Sequence, residues 1–86
     1  MIYHVYMIKT IEGFRNKTYV GYTNNINLRL KRHNNNKGAK STKGYKWELI
    51  FKRRFLKKIS AMKFEYKLKK NKYFRKKLLN DFEYKN

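Results

Sequence analysis

Apolar and polar residues alternate at the start of the chain. Residues 1–10, MIYHVYMIKT, are rich in β-branched and aromatic types and predict a strand. Ile2, His4, Tyr6 and Ile8 fall on one face, and Tyr3, Val5 and Met7 on the other. The segment IEGFRNK turns the chain, with Gly13 and Asn16 as its turn residues. KTYV, 17–20, returns as a second strand that stops at Gly21, completing a hairpin with a slightly long loop. Thr23, Asn24 and Asn25 are competent N-caps for a short helix over 26–33, INLRLKRH. In that helix Ile26 and Leu30 form an apolar pair, and Arg29 and His33 form a separate polar pair at the same spacing.

Residues 34–46 are polar, contain Gly38 and Gly44, and read as a loop. WELIF, 47–51, supplies a third strand, enough for a stable small sheet. Ser60 can cap a helix over 61–70, in which Ala61, Phe64 and Leu68 share a stripe and Glu65 sits beside it. A last helix over 72–83 carries Phe74, Leu78 and Phe82 at spacings of four. The order β-β-α-β-α-α predicts an α+β domain spanning 1–86, one sheet with helices packed against it.

Composition narrows the chemistry. The chain has 86 residues and no Cys, so disulfides and thiolate metal sites are excluded; His4 and His33 alone do not make a structural zinc site in a monomer. A 41% apolar and 17% aromatic content argues for a packed core rather than disorder. No run has the length of a membrane span and the N-terminus has no charged-then-apolar leader. The expectation is an intracellular protein, cytoplasmic in a bacterium or phage and nuclear or in a viral compartment otherwise.

Lys and Arg number 24 against 5 Asp and Glu, a net charge of +19. Such a chain repels itself when compact, and a polyanion relieves that cost, so nucleic acid is the expected partner, with affinity that falls steeply with salt. A ribosomal or nucleoid-type basic domain, or one that binds an anionic membrane surface, fits the charge as well. The excess of Lys, Asn and Tyr also suits an A/T-rich genome, so part of the charge can reflect codon bias.

Against this field one acid stands out. Residues 49–80 hold thirteen Lys or Arg and only Glu65 as an acid. It either neutralises Lys69, four residues on, or recruits a divalent cation, which polyanion hydrolysis needs to screen phosphate and the leaving oxygen. A lone carboxylate excludes a two-metal site. Tyr6 and Tyr19 on the hairpin can present both hydroxyls to one surface, or be ordinary buried sheet tyrosines. Arg29 can clamp a phosphate, and His33 can carry a proton or orient water. The simpler reading of both is a solvated helix face, and aromatics among lysines also suit base stacking without catalysis.

Together these residues resemble the GIY-YIG nuclease superfamily, nearest to the catalytic domain of the Slx1-type structure-specific endonucleases. His4-Val5-Tyr6 matches the first motif apart from its leading Gly, and Tyr19-Val20-Gly21 matches the second. Arg29 and His33 match the Arg and His-or-Tyr positions of the first helix. KGAKSTKG, 37–44, followed by Trp47-Glu48, is similar to the Gly-Ala-Lys…Thr and Pro-Trp-Glu signature, with Lys46 in place of Pro. SAMKFE ends in Glu65, the position of the metal-binding glutamate, and Asn80 is the nearest match by spacing to a C-terminal Asn. The resemblance covers about residues 3–79. Tyr22 stands where some relatives have an assisting Lys, and without Cys the chain lacks the zinc-binding domain through which Slx1 enzymes meet a scaffold partner.

The resemblance implies a small three-stranded antiparallel sheet flanked by helices and a metal-dependent DNA endonuclease. One Mg²⁺ or Mn²⁺ on Glu65 is its only expected cofactor. Tyr6, Tyr19, Arg29, His33 and Glu65 are the expected catalytic residues. Tyr19 or Tyr6 would orient or deprotonate the water, with its pKa lowered by Arg29, and His33 would bind phosphate or relay the proton. Lys37, Lys40, Lys43, Lys52, Arg53, Arg54, Lys57 and Lys58 would follow DNA phosphates, which position without specifying. Branched DNA (flaps, forks, four-way or Holliday junctions) in repair or recombination is the expected substrate, with no membrane role. A symmetric junction needs two cuts, by a homodimer or by successive monomers. The alternatives are a non-catalytic basic nucleic acid-binding protein and a weakly specific nicking endonuclease.

Overall fold

The computed structural model describes residues 1–85. It consists of β1 (Tyr3–Thr10), β2 (Thr18–Thr23), α1 (Ile26–Asn34), a short 3₁₀ turn (Lys40–Thr42), β3 (Trp47–Phe55), α2 (Lys58–Lys70) and α3 (Lys72–Lys85). The three strands form one antiparallel sheet in the order β2-β1-β3, flanked by the helices, as the expected α+β fold requires.

β1 is the central strand, and Val5, Tyr6, Met7 and Ile8 are all buried. Alternation therefore feeds two cores. Val5 and Met7 pack with Val20, Ala61 and Leu68 under α2 and α3. Tyr6 and Ile8 pack with Trp47, Leu49, Ile26 and Leu30 under α1 and the loop that follows it. β3 serves both because its register slips by one residue: Met7 faces Phe51, but Ile8 faces Leu49, leaving Ile50 as a bulge. Since side chains alternate with period 2, this extra residue sends Trp47 and Leu49 to the α1 side and Phe51 and Phe55 to the α2 side.

Element boundaries differ from the sequence reading in three places. β2 does not stop at Gly21 but runs through it to Thr23, with Gly21 paired to Tyr6. β3 continues past Phe51 to Phe55: Lys52, Arg53 and Arg54 are exposed, and the partner residues Tyr3 to Tyr6 keep the ladder going. α2 begins at Lys58, so Ser60 lies inside its first turn, and the N-cap residue, Lys57, makes no side-chain cap bond. Packing of the fully buried Ala61 against the sheet, rather than capping, fixes this end of the helix.

Elsewhere local chemistry behaves as expected. Asn25 caps α1 by accepting from the Leu28 N–H at 3.1 Å. Thr10 closes the hairpin: its hydroxyl donates to the Arg15 carbonyl at 2.9 Å and accepts from the Lys17 N–H at 3.1 Å. Asn71 caps α3 through the Phe74 N–H at 2.9 Å. The Arg75 guanidinium reaches back to the carbonyls of Leu68 and Lys69, placing positive charge at the negative end of α2.

Leu68 is the fully buried point where α2 meets the sheet. Leu68→Ala should lower unfolding free energy by about 3 kcal/mol, a large fraction for a domain of this size. Urea denaturation of the two proteins measures it.

Candidate active site

Tyr6 and Tyr19 project from neighbouring strands onto the α1 side of the sheet, with ring centroids 6.3 Å apart. The Tyr6 ring crosses over Gly21. A Cβ on Gly21 would stand 2.6 Å from the Tyr6 hydroxyl oxygen and 2.8 Å from Cζ. The glycine therefore acts as an interior strand residue that makes room for a phenol, a role that steric clearance rather than backbone freedom requires.

α1 brings Arg29 and His33 to that phenol. The Tyr6 hydroxyl lies 2.8 Å from His33 Nε2, and Arg29 Nε donates to it at 3.2 Å. The Tyr19 ring packs 5.0 Å from the imidazole, centroid to centroid. On the far side of the ring, His33 Nδ1 is 3.0 Å from Thr42 Oγ1. The Thr42 hydroxyl spends its proton on the Ala39 carbonyl at 2.8 Å, so towards His33 its oxygen is an acceptor. This assigns the proton to Nδ1 and leaves Nε2 to accept from Tyr6. The direction of every bond then follows: Arg29 donates to Tyr6, Tyr6 to His33, His33 to Thr42, and Thr42 to the backbone.

The loop after α1 is shaped around this chain. Gly38 lies against the imidazole so closely that a Cβ there would collide with His33 Nδ1. Asn34 holds the start of β3 in place, accepting from the Trp47 N–H at 2.6 Å and donating to its carbonyl at 3.1 Å. The Trp47 indole N–H donates to the Thr42 carbonyl at 3.1 Å. Lys46, which replaces the signature's proline, donates to the Asn34 carbonyl at 2.6 Å.

Burial sets the proton affinities. It pushes the Tyr6 hydroxyl up to about 12; the hydrogen bond and charge of Arg29 oppose the rise, while Tyr19 and Glu65 add to it. The expectation that Arg29 leaves this tyrosine with a lowered pKa is thus corrected: Arg29 does lower it, but desolvation wins. Burial, with the neighbouring Arg29 charge, pushes the His33 imidazole down to about 4. At neutral pH both groups are uncharged. His33 is 0% exposed with both ring nitrogens engaged, so a direct contact with phosphate is not available to it in this conformation.

Glu65 lies on α2, which packs on the other side of the sheet from α1. Its carboxylate is near enough to oppose ionisation of Tyr6, yet makes no hydrogen bond to Tyr6, Tyr19, Arg29 or His33. It is paired with Lys69 at 3.4 Å, the side chains being 16% and 47% exposed respectively. Among the described residues no group of three or more His, Cys, Asp or Glu comes together. A single half-buried carboxylate whose partner is an exposed ammonium fits one Mg²⁺ or Mn²⁺ that keeps most of its shell as water and phosphate oxygens. It does not fit zinc, which wants several nitrogen or sulfur ligands.

Of the other residues singled out from sequence, Lys37, Lys40, Lys43, Lys52, Arg53, Arg54, Lys57 and Lys58 are all exposed. Arg53 is also stacked, 4.8 Å from the Phe64 ring centroid and 5.3 Å from that of Phe55. Asn80 is not brought to the tyrosines; it lines a separate cleft with Tyr73, Lys76, Lys77 and Asp81. Sequence alone places Thr42 and Gly38 within a basic signature segment and does not reveal their contacts with His33. The signal was present in KGAKSTKG, but nothing in the spacing said which residue would meet the imidazole.

Two measurements test this arrangement. The unfolded imidazole takes a proton near 6.5, whereas the folded one resists until about 4. The unfolded state therefore binds more protons in between, and stability falls as pH drops through that window, by up to about 3 kcal/mol. Urea titrations from pH 7 to 4 should show this extra slope in the wild type and its loss in His33→Gln. Gly21→Ala should drive the Tyr6 hydroxyl off Nε2, seen by NMR as a downfield shift of the His33 Nε2 ¹⁵N resonance with the Nδ1–H tautomer kept, at a cost of about 1–3 kcal/mol.

Comparison with known proteins identifies the family. Residues 2–79 match the GIY-YIG catalytic domain. UPF0213 protein OB0043 from Oceanobacillus iheyensis is 41% identical over 66 residues, covering 76% of this chain and 77% of that protein. UPF0213 protein YazA from Bacillus subtilis is 50% identical over 56 residues, 64% of this chain and 57% of its own length. The solution NMR structure of UPF0213 protein BH0048 from Bacillus halodurans is 32% identical, with a TM-score of 0.50 over 94% of this chain and 84% of that one. With a domain match across nearly the whole sequence and relatives of this similarity, the chain belongs to the GIY-YIG domain superfamily, among homologues of the UPF0213 proteins.

Proposed function

We propose that this protein is a divalent-metal-dependent endonuclease that hydrolyses DNA phosphodiester bonds, acting preferentially on branched DNA such as flaps, forks and four-way junctions. The observation that carries the reading is the directed hydrogen-bond chain from Arg29 through Tyr6 and His33 to Thr42. A neutral imidazole aimed at a phenol that is itself held by a guanidinium is the arrangement a proton relay needs.

In the reaction, water attacks phosphorus in line and the P–O3′ bond breaks. The water proton passes to the Tyr6 oxygen while the Tyr6 proton passes to His33 Nε2, leaving an imidazolium that donates to both Tyr6 and Thr42. Tyr6 thus accepts a proton without first becoming a phenolate, which its pKa of about 12 would discourage. With His33 near 4, holding that proton at pH 7 costs about 4 kcal/mol. The negative charge that grows on the phosphorane beside Arg29 offsets this cost. Arg29 and Tyr19 hold the phosphate, and the departing 3′ oxygen is protonated by solvent. Glu65 would hold Mg²⁺ or Mn²⁺, which when bound supplies charge neutralisation at the phosphate and the leaving oxygen. The exposed lysines of the 37–43 loop and of β3 and α2 would follow the DNA backbone.

A non-catalytic, basic nucleic acid-binding protein is the competing reading, and one observation favours it: the Glu65 carboxylate already has a partner in Lys69. Cleavage of labelled flaps, forks, four-way junctions and plain duplex with Mg²⁺ separates the two. Wild type should nick the branched substrates faster. Glu65→Gln and Tyr6→Phe should lose at least ~100-fold in rate with little change in affinity, and Arg29→Ala should bind yet turn over very slowly. Equal cutting by wild type and Glu65→Gln would rule out the metal assignment, and equal rates on duplex and branched DNA would remove the structural preference.

A further inference from the structure

Glu65 itself helps to line an open groove of about 460 Å³, together with Tyr22, Ile59, Met62 and Tyr66, edged by Lys63 and Lys67. Its apolar groups are unusually bare: Ile59 is 56% exposed, Met62 41% and Tyr66 62%. Lys70 Nζ sits 5.5 Å from the Tyr66 ring centroid, adding a further cation to the rim. None of these residues belongs to the Tyr6–His33 relay, and the packing of the two cores does not require the Tyr66 side chain.

A second copy of the chain is a poor occupant, since it would set +19 against +19. The occupant must be anionic at the rim and apolar in the middle. An acidic helix would bring carboxylates up against Glu65, whereas a nucleotide turns a neutral flat face inward and its phosphate outward to the lysines. In a duplex that face is stacked and hidden. We infer that the groove formed by Tyr22, Met62 and Tyr66 is a docking site for an unpaired nucleobase of a single-stranded DNA segment. Its phosphates would run along Lys63, Lys67 and Lys70. That this segment leads to the cleaved bond rests on the nuclease reading; the docking itself does not.

The test reads binding alone. Fluorescence anisotropy in EDTA compares a labelled 12-nucleotide single strand with a blunt 12-base-pair duplex of the same sequence. Tyr66→Ala should weaken single-strand binding roughly 10-fold, with Tyr66→Trp restoring it, and change duplex binding less than about 2-fold. The salt dependence of both should stay as in wild type, because no phosphate contact is removed. An equal loss on both substrates, or no loss on either, overturns the proposal. So does sedimentation showing a wild-type dimer that Tyr66→Ala dissociates, or an acidic helical peptide whose affinity Tyr66→Ala lowers while single-strand binding is unchanged. A wild type that shows the Tyr66-dependent single-strand preference but cuts no DNA with Mg²⁺ would sink the nuclease reading and uphold the groove.

Discussion

The Tyr6 hydroxyl and His33 Nε2 meet inside the protein, and much of the local structure exists to let them. A phenol–imidazole bond largely shielded from bulk water is stronger than one at the surface, and costlier to break. Gly21 clears the path for the phenol and Gly38 the path for the imidazole. Thr42 fixes the tautomer, and Trp47 and Asn34 hold the segment that carries Thr42. Strand, helix and loop are each shaped by the same small group of atoms. This is why a loop with few apolar residues is nonetheless closely placed.

Charge is distributed on a different logic. Most of the 24 basic residues are spread over exposed surface and tolerate one another through solvent screening. The Tyr6–His33 cluster is neutral apart from Arg29, and Glu65, on the helix across the sheet, is paired with the exposed Lys69. Under the proposed nuclease function, a site that receives a phosphate diester gains from this separation. Long-range attraction comes from the surface, while the groups that would move protons are insulated from it by burial.

Much of this could be read from the sequence, and the parts that could not have physical causes. Alternation in MIYHVYMIKT, the Asn25 cap and the spacing of Arg29 and His33 gave their elements directly, because each signal is local. The three-stranded sheet was equally accessible. Gly21 was misjudged as a strand end because glycine marks breaks far more often than close approaches, and only the Tyr6 ring in the neighbouring strand reveals the difference. The raised pKa of Tyr6 was missed for a related reason. The identity of a charged neighbour is visible in a sequence, but the amount of water removed is not, and here the second effect is larger. The Glu65–Lys69 pair was legible from its helical spacing. Its place on a helix across the sheet from α1 was not, since that depends on which face of the sheet each helix covers.

The bulge at Ile50 has a consequence for how the two halves of the molecule influence each other. β3 is a single covalent strand whose first half belongs to the α1 layer, through Trp47 and Leu49, and whose second half belongs to the α2 layer, through Phe51 and Phe55. The inversion between them makes one strand the shared wall of both cores, its backbone running from the residues packed under α2 to the tryptophan whose indole holds the Thr42 carbonyl. The helix bearing Glu65 and the loop bearing Thr42 are thus joined through a single strand of the sheet.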